Sequence, residues 1–222
     1  MDSKDIFLKN EGDAYYLRNQ KSLNEDVGLD VVFYTHFLLS NHFENIKIVE
    51  IGASNGRNLN FFNNNLKCEV AGIEPSSKAI LDGNNTFFKG EKVLIKGSSD
   101  YLPYDDESVD VVMFGFSLFW VDRKYLFKSI SEADRILKNG GFLFITDFDT
   151  VNPYKRINVH NKDTYTYKMN YANLFLSNPQ YCLVEKKQYS HNTSNFDFDV
   201  QERVSAQILY KDFEDNVYIN DF

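Results

Sequence analysis

The chain has little of several things, and each shortage narrows what it can be. Two cysteines, Cys68 and Cys182, lie far apart with no metal-ligand spacing, so zinc modules and disulfide scaffolds are excluded and two reduced, buried thiols are expected. Four prolines and one tryptophan stand in 222 residues beside 20 Phe and 14 Tyr, a composition unlike that of disordered chains. Positive charge is short: Lys plus Arg number 24 against 32 Asp plus Glu, a formal net charge of −8. Such a chain does not attract phosphate backbones at long range, and no basic block reverses this, so no nucleic-acid partner is expected. No apolar run approaches membrane-spanning length, and the opening MDSKDIFLKN is charged without an apolar signal core. A cytoplasmic protein with no membrane partner is the expectation.

What is present is rhythm. From Val27 to Phe43 apolar residues recur at helical spacing, with Leu29, Val32, Phe33 and Phe37 on one face. IKIVEI (46–51), CEVAGI (68–73), EKVLIKG (91–97), SVDVVMFGF (108–116) and FLFITDF (142–148) read as strands. Between them GRNLNFFNNNL, SSKAILDG closed by Gly83, and 122–138 closed by Asn139-Gly140-Gly141 read as helices. Alternating strands and helices predict right-handed βαβ units. Residues 150–168 show no clear period, YANLFLSN reads as a short helix, and QYCLVEKKQY and ERVSAQILYK alternate as strands of an antiparallel hairpin. The fold class is α/β: a single-domain, Rossmann-like open sheet, mostly parallel, with a C-terminal antiparallel hairpin strand. One domain spans 1–222, with an N-terminal cap and helix (1–45), a ligand-binding core (46–149), and an acceptor-side insertion with the terminal hairpin (150–222).

The chemistry centres on VEIGASNGRNL (49–59). In an open parallel sheet the first strand-to-helix loop is the prime ligand site. Gly52 permits a sharp turn, Ala53 and Ser54 are small enough for close ligand approach, Asn55 completes the loop, and Gly56 starts a helix whose amides face the pocket. Glu74 ends the second strand at about the 20-residue interval expected of a ribose-binding acid, with Pro75 starting the next helix. A dinucleotide fingerprint needs glycines where this chain has Ser54 and Arg57, and Glu50 would repel a pyrophosphate but suits a cationic ligand.

At these residues the chain resembles the class I S-adenosylmethionine-dependent methyltransferases. EIGASNG resembles that family's first motif, with Ser54 in place of the middle glycine, and Glu74 stands where the family holds the ribose. GSSDYLPYDDESVDVVMFGF and EADRILKNGGFLFITDF resemble its later segments, in order. The resemblance, over about residues 46–149, implies S-adenosylmethionine as cofactor and Asn58, Ser98, Ser99, Asp100, Gly115 and Phe116 as further cofactor contacts. The family usually carries an aspartate at the place of Ser98; Asp100 stands two residues on, and either can meet the adenine. It further implies methyl transfer to a small-molecule acceptor, favouring a hydroxyl over an amine, with a sugar or surface-glycan component as one substrate class. Amine methylation, a non-catalytic cofactor-binding module and, more remotely, a nicotinamide-dependent oxidoreductase are the alternatives.

Candidate catalytic residues come from loops at the strands' carboxyl ends: Asp147, Asp149 and His160, the last with the natural pKa of a base. Phe116, Phe119, Trp120 and Asp122 are acceptor-side candidates, with Lys155 and Arg156 as anion binders. The aromatic GDAYYLRNQ is expected to close over the cofactor, Tyr16 facing the sulfonium and Arg18 its carboxylate. NPYK (152–155) resembles a motif of nucleic-acid amino-methylating enzymes, but follows the fifth strand rather than the fourth and lacks its second proline.

Overall fold

The computed structural model describes residues 2–23 and 25–218. The N-terminal segment is helical: α1 (Ser3–Ile6), a wide turn over Phe7–Glu11, then α2 (Gly12–Leu23). Helix α3 (Leu29–Ser40) follows, its one acidic residue being Asp30. Next come β1 (Ile46–Ile51), α4 (Arg57–Asn65), β2 (Cys68–Glu74), α5 (Ser77–Thr86), β3 (Leu94–Lys96) and β4 (Val109–Gly115). After a 3-10 turn at Leu118–Trp120 the chain forms α6 (Arg123–Ile136), β5 (Leu137–Phe148), β6 (Tyr154–Ile157), β7 (Tyr165–Lys168), α7 (Ala172–Leu176), β8 (Tyr181–Ser190), β9 (Arg203–Lys211) and α8 (Glu214–Val217).

Seven strands form one sheet in the order β3-β2-β1-β4-β5-β9-β8, and β6 pairs with β7 separately. Strands β3, β2, β1, β4 and β5 are parallel, and β9 runs antiparallel between β5 and β8. The order reverses between β1 and β4, which opens a crevice at their carboxyl ends. Parallel strands covered on both faces must be apolar throughout, and Ile48, Val49, Val111, Val112, Leu143 and Phe144 are all buried. Alternation along β5 separates two faces. Phe142 and Phe144 meet Phe37 of α3 edge-on, Tyr34 stacks on Phe144 at 4.4 Å, and Tyr34 hydrogen-bonds Thr146 at 2.8 Å. Thr146 therefore shares the α3 face, and Asp147 falls on the opposite one.

Four local expectations are corrected. Gly83 lies inside α5 rather than ending it: a Cβ there would stand 2.1 Å from the Asn55 carbonyl oxygen, so the glycine lets α5 press against the first loop. The Asn139-Gly140-Gly141 turn is a bulge within β5, whose pairing skips from Leu137 opposite Val109 to Phe142 opposite Val111, with Gly140 at φ +80°. Residues 150–168 contain the β6/β7 ribbon. Cys182 is exposed because β8 is the sheet's outer edge, and Cys68, at the start of β2, is half-buried; neither forms a disulfide. Among the described residues no helix is long and apolar enough to cross a membrane.

The packing at Gly83 yields a test. Gly83→Ala forces α5 off the loop, and overpacking of this kind costs about 1–3 kcal/mol. Denaturant unfolding should show that loss; a midpoint equal to wild type would contradict the close approach.

Candidate active site

The crevice holds a cavity of about 640 Å³. Its floor is the loop from Gly52 to Gly56. Three of its residues have left-handed backbone: Gly52 at φ +81°, Ser54 at +50° and Gly56 at +76°. Gly52 and Ala53 donate to the Ile73 carbonyl at 2.8 and 3.1 Å, tying the loop to the end of β2. A Cβ on Gly52 would lie 2.5 Å from that of Ser117, so glycine is required there by space as well as conformation.

Two carboxyls face the cavity from adjacent strand ends. Glu50 is 1% exposed; Asn58 Nδ2 donates to its Oε1 at 2.8 Å. Its Oε2 has no partner, and neither has Asn58 Oδ1, although both are buried. Burial pushes the Glu50 pKa up to about 8 against the pull of the Asn58 hydrogen bond. Two orphaned acceptors side by side need donors, and an ammonium group supplies them with the matching charge. Glu74 is held by the Ser54 and Ser76 amides at 2.7 and 2.8 Å, one to each oxygen. Burial raises its pKa to about 7, with those two amides pulling the other way. Each oxygen keeps a lone pair for a ligand hydroxyl. At the far end Asp100 accepts from Lys4 Nζ and Ser98 Oγ, both at 2.6 Å; burial works against its charge, but these two bonds win and its pKa is lowered. Both carboxyl oxygens of Asp100 are thus engaged within the protein.

The N-terminal helices form the roof, anchored by several contacts. Arg57 Nη1 donates to the Ser22 and Asp26 carbonyls. Asp13 accepts from Ser76 Oγ and the Lys78 amide at the start of α5. Phe7 and Tyr15 pack on Trp120, centroids 5.4 and 5.8 Å away. The roles assigned within GDAYYLRNQ shift accordingly. Tyr16 lines the cavity, but its hydroxyl is committed to Asp82 at 2.5 Å. Tyr15 also lines the cavity and feels Glu74; burial first and that charge second raise its pKa. Arg18 pairs with Glu11 at 2.5 Å and is not among the lining residues.

The lining also includes Ala53, Asn55, Pro75, Ser99, Gly115, Phe116, Phe119, Trp120 and Asp122. The three catalytic candidates stand elsewhere. Asp147, on the other sheet face, accepts from the Phe119 and Phe148 amides, and burial raises its pKa to about 8. Asp149 pairs with Lys186 at 2.8 Å and accepts from Gln188. His160 is an exposed loop residue whose amide donates to Asn158. Lys155 covers the Tyr165 ring at 3.6 Å. Two titratable residues that line the cavity, Asp30 and His191, are not among the sequence-based candidates. His191 packs on Phe148 and Phe116, and burial lowers its pKa. Asp30 carried a signal: it is the single charge in an otherwise apolar helix.

Among the described residues no cluster of His, Cys, Asp and Glu could hold a metal ion.

The methyltransferase domain family matches residues 49–145. These residues form a methyltransferase domain. The ubiquinone/menaquinone biosynthesis C-methyltransferase UbiE of Rhizobium etli is 33% identical over 81 residues, which is 36% of this chain. The match spans 28% of that relative's length. The crystal structure of the 1,6-didemethyltoxoflavin-N1-methyltransferase of Burkholderia thailandensis, with 1,6-didemethyltoxoflavin and S-adenosylhomocysteine bound, superposes with a TM-score of 0.72 at 11% identity, covering 94% of this chain and 89% of that one. A methyltransferase of Methanosarcina mazei gives 0.64 at 16% identity, covering 86% of this chain and 100% of that one. Likeness at these identities establishes the methyltransferase domain's fold, including the antiparallel strands beyond the matched stretch.

Glu50 makes ligand binding and protonation interdependent. A cation at its free oxygen favours the charged form, so binding near pH 7 should release a proton and tighten as pH rises towards 8. Titration calorimetry with S-adenosylhomocysteine in buffers of different ionisation enthalpy measures that proton, and Glu50→Gln should abolish most of it. Without ligand the sign reverses: a raised carboxyl pKa favours the folded state at low pH, and that contribution fades between the unfolded value of 4.5 and about 8. Thermal melts of Glu50→Gln should accordingly lose part of the pH dependence over that interval, the remainder belonging to Glu74 and Asp147.

Proposed function

We propose that the protein transfers the methyl group of S-adenosylmethionine to a hydroxyl of a small, flat acceptor. The observation that carries the cofactor assignment is the pair of buried carboxyls: Glu50, with an orphaned oxygen beside the orphaned Asn58 oxygen, and Glu74, fixed by two amides with lone pairs to spare. Glu50 and Asn58 would receive the amino-acid ammonium and Glu74 the ribose hydroxyls, while Pro75, Ser98 and Ser99 would border the adenine. Lys4 already holds Asp100, so Ser98 and Asp100 act together: the carboxylate orients the serine hydroxyl. Bound there, the cofactor supplies a methyl group activated by a sulfonium.

The protein's part is positioning. Displacement at a methyl carbon needs nucleophile, carbon and leaving sulfur in line, and holding reactants so contributes much of such acceleration. The roof of Phe7, Tyr15 and Trp120 would exclude water from that line and set aromatic faces near a cation. Beyond it the lining offers Phe116, Phe119, Trp120 and His191 with few polar groups. That surface favours a planar acceptor with one reactive group over a sugar, whose hydroxyls would need several partners. The bound acceptor of the Burkholderia neighbour, methylated on nitrogen according to that enzyme's name, supports keeping an amine as the second reading.

S-adenosylhomocysteine should titrate to one site per chain, and NAD should not bind. Glu74→Ala should weaken binding about 10- to 100-fold, since hydrogen bonds to a charged group contribute about 1.5–3 kcal/mol. An unchanged dissociation constant would remove Glu74 from the site.

A further inference from the structure

The sheet orders the cavity's carboxyls. Glu74 ends β2 and Glu50 lies at the end of β1. A third, Asp30, stands at the first turn of α3 and hydrogen-bonds Thr146 of β5, two strands beyond β1 on the side away from Glu74. The first two have assigned partners in the cofactor. Asp30 has none, yet it lines the same cavity and is 6% exposed.

Its position is built. Thr146 bonds Tyr34 at 2.8 Å as well as Asp30, so the contact is fixed from the sheet. Gly28 makes room: a Cβ there would lie 2.4 Å from Asp30 Oδ1. The groups acting on this carboxyl or acted on by it come from several elements. Arg57 of α4 is the attracting cation, but its guanidinium is tied to the Ser22 and Asp26 carbonyls. Glu50 of β1 and Tyr34 of α3 feel its charge. So does Tyr189 of β8, whose buried hydroxyl has no hydrogen-bond partner. Burial raises the Asp30 pKa, countered in part by Thr146, and a carboxylate of raised pKa is the stronger proton acceptor.

We infer that Asp30 is a catalytic residue: it receives the proton of the acceptor hydroxyl during methyl transfer. This rests on the methyltransferase reading above. The acceptor O–H bond breaks towards the Asp30 carboxylate as the oxygen lone pair forms the new bond to the methyl carbon. The carbon–sulfur bond breaks with its electron pair left on sulfur, so the positive charge disappears and Asp30 ends neutral. The proton then leaves to solvent. His191 packs on Phe116 and Phe148 instead.

The test uses 4-nitrophenol as probe, added to the full chain saturated with S-adenosylhomocysteine, below the pH at which the free phenol ionises. Wild type should show the visible absorption of bound phenolate. In Asp30→Asn, with S-adenosylhomocysteine affinity preserved, that signal should fall about tenfold, the effect of one unit of relative acidity. Gly28→Ala, which crowds Asp30 Oδ1 with the carboxyl still present, should lower it too and serves alone if Asp30→Asn does not fold. No phenolate signal in wild type, an undiminished signal in the variants, or its loss in His191→Gln instead would overturn the inference. Failure of wild type to bind S-adenosylhomocysteine at all would overturn the reading beneath it.

Discussion

A carboxyl buried without a cation governs this structure. Glu50 sits at the end of a central strand with one oxygen satisfied by Asn58 and the other by nothing. A fold tolerates such an arrangement only by holding the group neutral or by receiving a charged partner. Its surroundings leave room for the carboxyl: three left-handed residues shape the loop that follows β1, and a Cβ on Gly115 would lie 2.9 Å from the Glu50 Oε1. The destabilisation stored there is what a cationic ligand relieves.

The roof completes this environment. Helices α1 and α2 do not pack as an independent unit; they are anchored through Asp13, Lys4, Tyr16 and Arg57 to the very elements that form the floor. Closure lowers the local dielectric, which strengthens the attraction between Glu50 and a bound cation and equally raises the cost of leaving it charged and alone. Asp30 belongs to the same environment, one layer further along the sheet.

The strands, the first loop and the ribose acid were legible because they follow local rules: β-branched runs for buried strands, glycine where φ is positive, an acid at a strand's end. What was not legible depended on parity and approach. Asp147 looks functional from its place at the end of β5, but it is buried on the face away from α3, where its carboxyl is taken by the Phe119 and Phe148 amides and does not line the cavity. Gly83 looks like a helix stop, yet its reason is a carbonyl 2.1 Å from where a Cβ would be. In Tyr15-Tyr16 the sequence shows two equivalent rings, and only the docking of α2 on α5 commits the second hydroxyl to Asp82. Asp30 is masked in the sequence by the apolar periodicity of its helix, where its one signal is that it is the lone acid.

The central claim is that the open oxygen of Glu50 awaits an ammonium group. A crystal structure with S-adenosylhomocysteine tests it most directly. The account predicts the ligand's amino nitrogen within hydrogen-bond distance of both Glu50 Oε2 and Asn58 Oδ1. An amino group placed elsewhere, with Glu50 still unpartnered, would contradict it.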